Sequence, residues 1–311
     1  MNKFLFLAFL LAGACSCKLQ PNSDRLAGEY AGARTFQLRL NPPAGSNYSY
    51  DITSRSEYKF EAGDKKIDNR SKVDASVVYL IDKDSTGNFV FRIRYDKVHI
   101  YSKNGDAESD LDAANASNSV DPVEQLLGSL RDANIVATLG PTGEVKSVSG
   151  FREMYDRFMA QFRTANAYQI ATVKQRWEST VGNELIHKNM DQLFRIFPDS
   201  AVHIGDKWHL NSKQKSEFGL NTAMSFTLTD IRDQTAFIES EGTITSDSVS
   251  KYMGNDVATD LKGEQKGEFQ VETRTGMLVS ARVTATVKGT LQVMDREIPL
   301  TIETSLKMDR R

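Results

Sequence analysis

The chain has 311 residues, 39 basic and 41 acidic side chains, two cysteines and 40% hydrophobic residues. So even a charge balance excludes an electrostatic nucleic-acid binder, which needs a strongly positive face, and no nucleic-acid partner is expected. Two cysteines in so long a chain exclude a disulfide-built scaffold, and the apolar fraction is ample for a core.

The N-terminus reads as an export signal: Lys3 is the positive n-region, Phe4 to Leu11 the apolar h-region, and Ala12, Gly13 and Ala14 are small residues ahead of Cys15. At about 1.5 Å per residue the apolar run covers about half of the hydrocarbon core, too little for a membrane span. The run Leu11-Ala12-Gly13-Ala14-Cys15 resembles the lipobox of bacterial lipoproteins, with Ala12 where Leu is commonest. The resemblance implies acylation of Cys15, with Cys17 as the alternative, and a membrane partner through that lipid. An ordinary secretory signal, followed by a Cys15–Cys17 bridge or two free thiols, is the competing reading. A bridge over so short a loop is strained, and no cysteine follows Cys17. Ser16 rather than Asp after the cysteine favours, by resemblance to the usual sorting rule, the outer membrane over the inner. No acidic export signal follows, so the expected position faces the periplasm. The expected organisation is a signal peptide over 1–14, a lipidated flexible tether over 15–33, and a β-rich domain over 34–311 with a helical insert at about 121–198.

A strand is expected over 34–40. Tyr48, Tyr50, Ile52, Tyr58 and Phe60 then share one parity, while Asp51, Arg55, Glu57, Lys59 and Glu61 hold the other. This period of two predicts one long strand with a buried and a wet face, and so long a strand must bend. After a strand over 70–82, Phe89, Phe91, Ile93 and Tyr95 hold one parity and Val98 and Ile100 the other, which predicts a β-bulge near Asp96 or Lys97. Between Asn104 and Asp121, Asp106, Glu108, Asp110 and Asp112 alternate, but the glycine and terminal glutamate of an EF-hand-type loop do not fit. The segment reads as a mobile acidic loop.

Asp121-Pro122-Val123-Glu124 offers an N-cap, a first-turn proline and a third-position acid for a short helix ending near Asp132. Val136–Val148 and Phe269–Ala281 resemble each other, each reading strand, Thr-Gly turn, strand, with Gly143 and Gly276 at positive φ. A tandem repeat and chance both account for that likeness. Phe151, Met154, Tyr155, Phe158 and Phe162, continued by Val173, Trp177 and Val181, predict a long amphipathic helix over about 150–181. A second helix carries Leu185, Ile186, Met190, Leu193, Phe194 and Phe197 and ends at Pro198. Phe151, Tyr155, Phe158, Phe162 and Trp177 are candidates to line a lipid-like cavity; a core-facing stripe is the plainer reading. Strands are expected over 207–213, 221–231, 234–246 and 264–273, and a hairpin over 281–308, giving about a dozen in all.

No nucleophile, phosphate-loop or zinc motif occurs, and the His203–His209 spacing is not a known zinc spacing. No cofactor, metal or catalytic residue is therefore expected. Phe197-Pro198, Val202, Gly205-Asp206, Trp208, Thr275-Gly276-Met277-Leu278 and Ile298-Pro299-Leu300-Thr301-Ile302 resemble an uncharacterised lipoprotein family common in Bacteroidetes. The likeness implies no activity, because that family's function is unknown.

The expected fold is a β-rich α+β architecture of long curved antiparallel strands, a half-barrel or barrel, with a central helical insert on the concave side or at one mouth. The expected function is non-enzymatic binding of a hydrophobic or amphipathic ligand in that concavity. The alternative is a protein-interaction module of an outer-membrane complex, and the third reading is an envelope glycan hydrolase.

Overall fold

The computed structural model describes residues 34–62, 65–160, 183–213, 219–252, 255–293 and 296–311. Cys15, Cys17, Phe162, Trp177 and most of the helix expected over 150–181 lie outside these residues.

The described strands are β1 (Ser46–Ala62), β2 (Lys65–Lys83), β3 (Phe89–Asn104), β4 (Ala107–Asp112), β5 (Ile135–Leu139), β6 (Val145–Ser149), β7 (Lys207–Lys213), β8 (Leu220–Arg232), β9 (Thr235–Ser246), β10 (Val249–Tyr252), β11 (Asn255–Glu272), β12 (Leu278–Val293) and β13 (Arg296–Arg310). All belong to one antiparallel 13-stranded sheet in the order β6-β5-β3-β2-β1-β13-β12-β11-β9-β8-β7, with β4 added to β3 and β10 to β11. The first and last strands meet in its middle, from Tyr50 opposite Arg310 to Phe60 opposite Leu300. The path ends at β6 and β7, so the sheet is curved but unclosed, a half-barrel.

Irregular pairing helps the long strands bend. Ser76 faces Lys97 and Val77 faces Tyr95, which leaves Asp96 as the extra residue of a bulge at the expected place. Further register shifts fall at Gln270/Val271 and Leu228/Asp230. The curl brings β1 over β12, two strands away, where the Tyr50 hydroxyl donates to the Leu278 carbonyl at 2.9 Å.

The two runs β6-β5-β3-β2-β1 and β12-β11-β9-β8-β7 follow the chain in the same direction. The β5–β6 and β11–β12 turns hold equivalent places in them, so the likeness in sequence coincides with one in topology. Gly143 and Gly276 take φ of +84° and +68° in these turns, as expected. The segment before β1 joins the two turns: Leu40 N–H donates to Pro141 O at 2.8 Å and Asn41 N–H to Thr275 O at 2.7 Å.

That segment corrects the strand expected over 34–40, which is reduced to one bridge between Phe36 and Val202. Its alternation is real, since Leu38 and Leu40 are buried between exposed neighbours. Two of its amides, however, bond to turns instead of joining a ladder. The mobile acidic loop is corrected too. Glu108 and Asp110 stand on β4 opposite Lys103 and Tyr101 of β3. The Glu108 carboxylate accepts Lys103 Nζ at 2.9 Å, and Asp110 meets the His99 ring. Glu108, Asp110 and Asp112 alternate along this short strand, and Asp106 lies in the turn before it.

Helix α1 (Pro122–Gly128) begins at Asp121, whose carboxylate accepts the Val123 N–H at 2.7 Å, and a 3-10 turn over Ser129–Asp132 completes the expected span. Glu124 accepts the Asp112 N–H at 2.8 Å and ties the helix to β4. Helix α2 (Phe151–Met159) and helix α3 (Asn183–Phe194) follow. Helix α3 stops before the expected Pro198, and the Ile196 carbonyl beyond it accepts Trp208 Nε1 of β7 at 3.1 Å.

One core joins the helices to both wings of the sheet through Phe151, Phe158 and Phe194 of the helices, Tyr79 and Phe91 of one wing, and Phe226 and Phe269 of the other. A second cluster, with Ile244, Leu261, Val287, Leu300 and Ile302, occupies the opposite end of the long strands. Helices α2 and α3 thus sit at one mouth, against the concave face.

Candidate ligand-binding face

The two faces of the sheet differ in charge. Outward positions hold pairs such as Arg70 with Glu57 (3.0 Å), Lys72 with Asp74 (2.6 Å) and Lys307 with Asp309 (2.6 Å), all partly exposed. Such exposed pairs contribute little to stability and keep that face wet.

The inward positions line up in rows across the strands. One row runs Ser102, Ser71, Ser56, Thr304, Ala285, Gln265, Gly242 and Met224, from β3 to β8. The next row toward the helices runs Ile100, Val73, Ser54, Leu306, Val283, Gly267, Ser240 and Phe226. The next row away from them runs Asn104, Asn69, Tyr58, Ile302, Val287, Gly263, Ile244 and Thr222. No residue in the three rows is charged. A hydroxyl and amide belt therefore crosses the concave face between its two apolar clusters.

Two atoms of this belt are unpaired. Asn69 Oδ1 and Ser240 Oγ are buried without a hydrogen-bond partner, in residues that are 6% and 7% exposed. Each such atom costs about 1–3 kcal/mol. Beside Asn69, the Ser56 and Ser71 hydroxyl oxygens lie 2.8 Å apart. On the other wing, a Cβ at Gly267 would stand 2.6 Å from Ser240 Oγ, so the glycine makes room for that serine. Closer to the helices, Tyr50 and Tyr79 are buried, which pushes their phenols well above the usual range and keeps them neutral.

Of the residues expected to line a cavity, Phe151 and Phe158 are buried in the core at the helical mouth, with Tyr155 partly buried against it. The belt itself was missed in the sequence. Its signal is the interruption of apolar parity by Ser54 and Ser56 between Ile52 and Tyr58.

Titratable groups gather elsewhere. His99 pairs with Asp110, and His203 Nδ1 lies 3.2 Å from Asp206. Among the described residues no group of three or more histidines, cysteines and acids is placed to hold a metal ion. Asp191 on α3 is buried and accepts the Val145 N–H of β6 at 3.5 Å. Burial pushes its carboxyl up, and Arg195 at 4.0 Å opposes this only in part. An acid whose folded-state pKa is raised imposes no penalty when protonated in both states. Stability is lost as pH rises from about 4 through the folded value. Asp191→Asn, which keeps an acceptor for Val145, is expected to raise the melting temperature at pH 7 and flatten its decline above about pH 4. Thermal melts across pH check this, and a lower melting temperature at pH 7 would contradict it.

The chain belongs to the family of unknown function DUF6263, which matches residues 86–278, more than half of its length. No curated protein matches it. Among solved structures it is similar to a lipovitellin chain described for its lipid–protein interactions, at 9% identity and a TM-score of 0.48, covering 86% of this chain. It spans only about a quarter (25%) of that lipovitellin chain. A structure of the Pseudomonas aeruginosa MucA/MucB complex matches at 8% identity, 81% of this chain, 88% of the other and a TM-score of 0.16. With TM-scores below 0.5, these likenesses carry nothing about a shared ligand.

Proposed function

We propose that this chain is a lipid-anchored protein of the cell envelope, facing the periplasm from the outer membrane. In this reading it holds a hydrophobic or amphipathic ligand against the concave face of its half-barrel and catalyses no reaction on it. The observation that carries the binding part is the three uncharged inward rows spanning eight strands, backed by an outer face rich in charge. A protein that only needed a core would gain nothing from burying Asn69 Oδ1 and Ser240 Oγ without partners. The location rests on the sequence, through Lys3, the apolar run and Cys15.

Purified from its native membrane, the full chain should release a co-purified apolar or amphipathic molecule, near one per protein, on solvent extraction and mass spectrometry. A preparation free of such molecules that also takes up none would refute the binding part. Cys15→Ser should leave the membrane fraction or accumulate unprocessed; persistence of a processed, membrane-bound form would move the anchor to Cys17.

A further inference from the structure

We propose that β7 takes up an extended acidic segment of a partner protein, which adds a strand to the open end of the sheet with its carboxylates beside Lys207 and His209. This goes beyond the ligand-binding reading above and stands or falls independently of it.

The strands at the margins of the sheet, β4, β6, β7 and β10, are finished differently. The Val145 N–H of β6 is held by the Asp191 carboxylate of α3 at 3.5 Å. The Asp112 N–H of β4 is held by Glu124 of α1 at 2.8 Å, and β10 is only four residues long. Covering or shortening an edge keeps other chains from pairing with it. In contrast, β7 has seven residues, and among the described residues no group bonds its outer backbone.

The β7–β8 ladder shows which groups point outward. Gly205 N–H donates to Leu228 O at 2.7 Å and Leu228 N–H to Asp206 O at 3.2 Å, so Asp206 faces β8. Along an antiparallel pair, residues that bond the neighbouring strand alternate with residues that turn away from it. Trp208 and Leu210 therefore bond Phe226 and Met224, whereas Lys207 and His209 present their N–H and C=O groups to the open edge.

The side chains select the chemistry of the added strand. Lys207 and His209 are exposed on the outer face, opposite the uncharged Thr227 and Ser225 of β8. Asp206, next to Lys207 in the chain, is engaged by the His203 N–H at 2.8 Å and the His203 ring at 3.2 Å. Across the sheet the next acids, Glu239 and Glu241, stand on β9, two strands and about 10 Å away. Acids on an added strand would stand at half that distance, where opposite charges attract across a ladder. Lysine on an edge also deters indiscriminate pairing, so charge chooses the occupant. On the inner face Trp208 and Leu210 are half-buried, with the Trp208 ring stacked on Phe226 at 5.9 Å. Apolar residues alternating with the acids would extend that cover, as strand addition at a sheet edge does.

The test uses the full chain and two fluorescein-labelled heptapeptides, one alternating glutamate with valine and one alternating lysine with valine, read by fluorescence anisotropy. The glutamate peptide is expected to bind about tenfold more tightly than the lysine peptide. His209→Pro removes an outward N–H and no bond of the β7–β8 ladder, so it should stay folded in a thermal melt and lose about tenfold or more in affinity for the glutamate peptide. Lys207→Glu, which needs no proline in the strand, should shift the preference to the lysine peptide. Equal affinities for the two peptides overturn the inference, as does an unchanged preference in Lys207→Glu or unchanged binding by a folded His209→Pro. Absence of binding up to about 1 mM overturns it too. The edge is then covered by this chain itself, through residues outside those described or through a second copy, and sedimentation distinguishes the monomer from the dimer. None of these outcomes bears on the co-purified molecule that tests ligand binding.

Discussion

Gly276→Ala is expected to destabilise the protein by about 3 kcal/mol or more, a large fraction of the stability of a typical domain. Gly276 has φ of +68°, where an L-residue with a Cβ costs about 1–2 kcal/mol. Its Cβ would also stand 2.1 Å from Arg39 O and 2.8 Å from Leu40 Cα, so backbone rather than a flexible side chain has to give way. That backbone is held by the Leu40 bond to Pro141 and the Asn41 bond to Thr275, and it carries the buried Leu38 and Leu40. Shifting it strains two hydrogen bonds, each contributing about 1 kcal/mol, as well as apolar packing. Gly45→Ala provides the contrast, because Gly45 has a similar φ of +74° but nothing within 4 Å of an added Cβ. It should cost only the backbone strain. Urea titrations of the two variants separate the terms, and equal losses would show that the strap before β1 yields freely.

The sequence made the strands legible because one wet and one dry face impose a period of two on every long strand. The parity slip in β3 even narrowed the bulge to Asp96 or Lys97, and the pairing makes Asp96 the extra residue. The same period lay in the acids of β4, where charge drew attention away from alternation. At 34–40 the alternation was present and the ladder was not, since burial alternates along any extended chain whose one side is covered. The belt was hardest to see. Ser54, Ser56, Thr304 and Gln265 look like lapses in three separate strands, and only the register of the sheet sets Ser56, Thr304 and Gln265 in one row and Ser54 in the next. A row is a property of pairing between segments distant in sequence, which period-two reasoning within one strand does not reach.

Phe194→Ala carries the second large effect, about 3–5 kcal/mol. Phe194 is fully buried at the end of α3, with its ring centroid 5.4 Å from Phe91 and 6.0 Å from Tyr79, so it seats the helix on β2 and β3. Its carbonyl lies where a Cβ of Gly143 would be, at 1.8 Å, which packs the β5–β6 turn closely onto the same residue. Truncation therefore opens a cavity beneath a turn that has little freedom to collapse into it, and the upper part of that range applies. A urea midpoint lowered by less than about 1.5 kcal/mol in free energy would mean that α3 does not hold this wing. The cluster around Phe194 belongs to the helical mouth, whereas Asn69 and the hydroxyl row lie farther along the strands, toward the second cluster. The folded fraction of Phe194→Ala should therefore release the same co-purified molecule on solvent extraction as the unaltered chain. Asn69→Leu should instead gain stability, because it removes a buried acceptor without a partner.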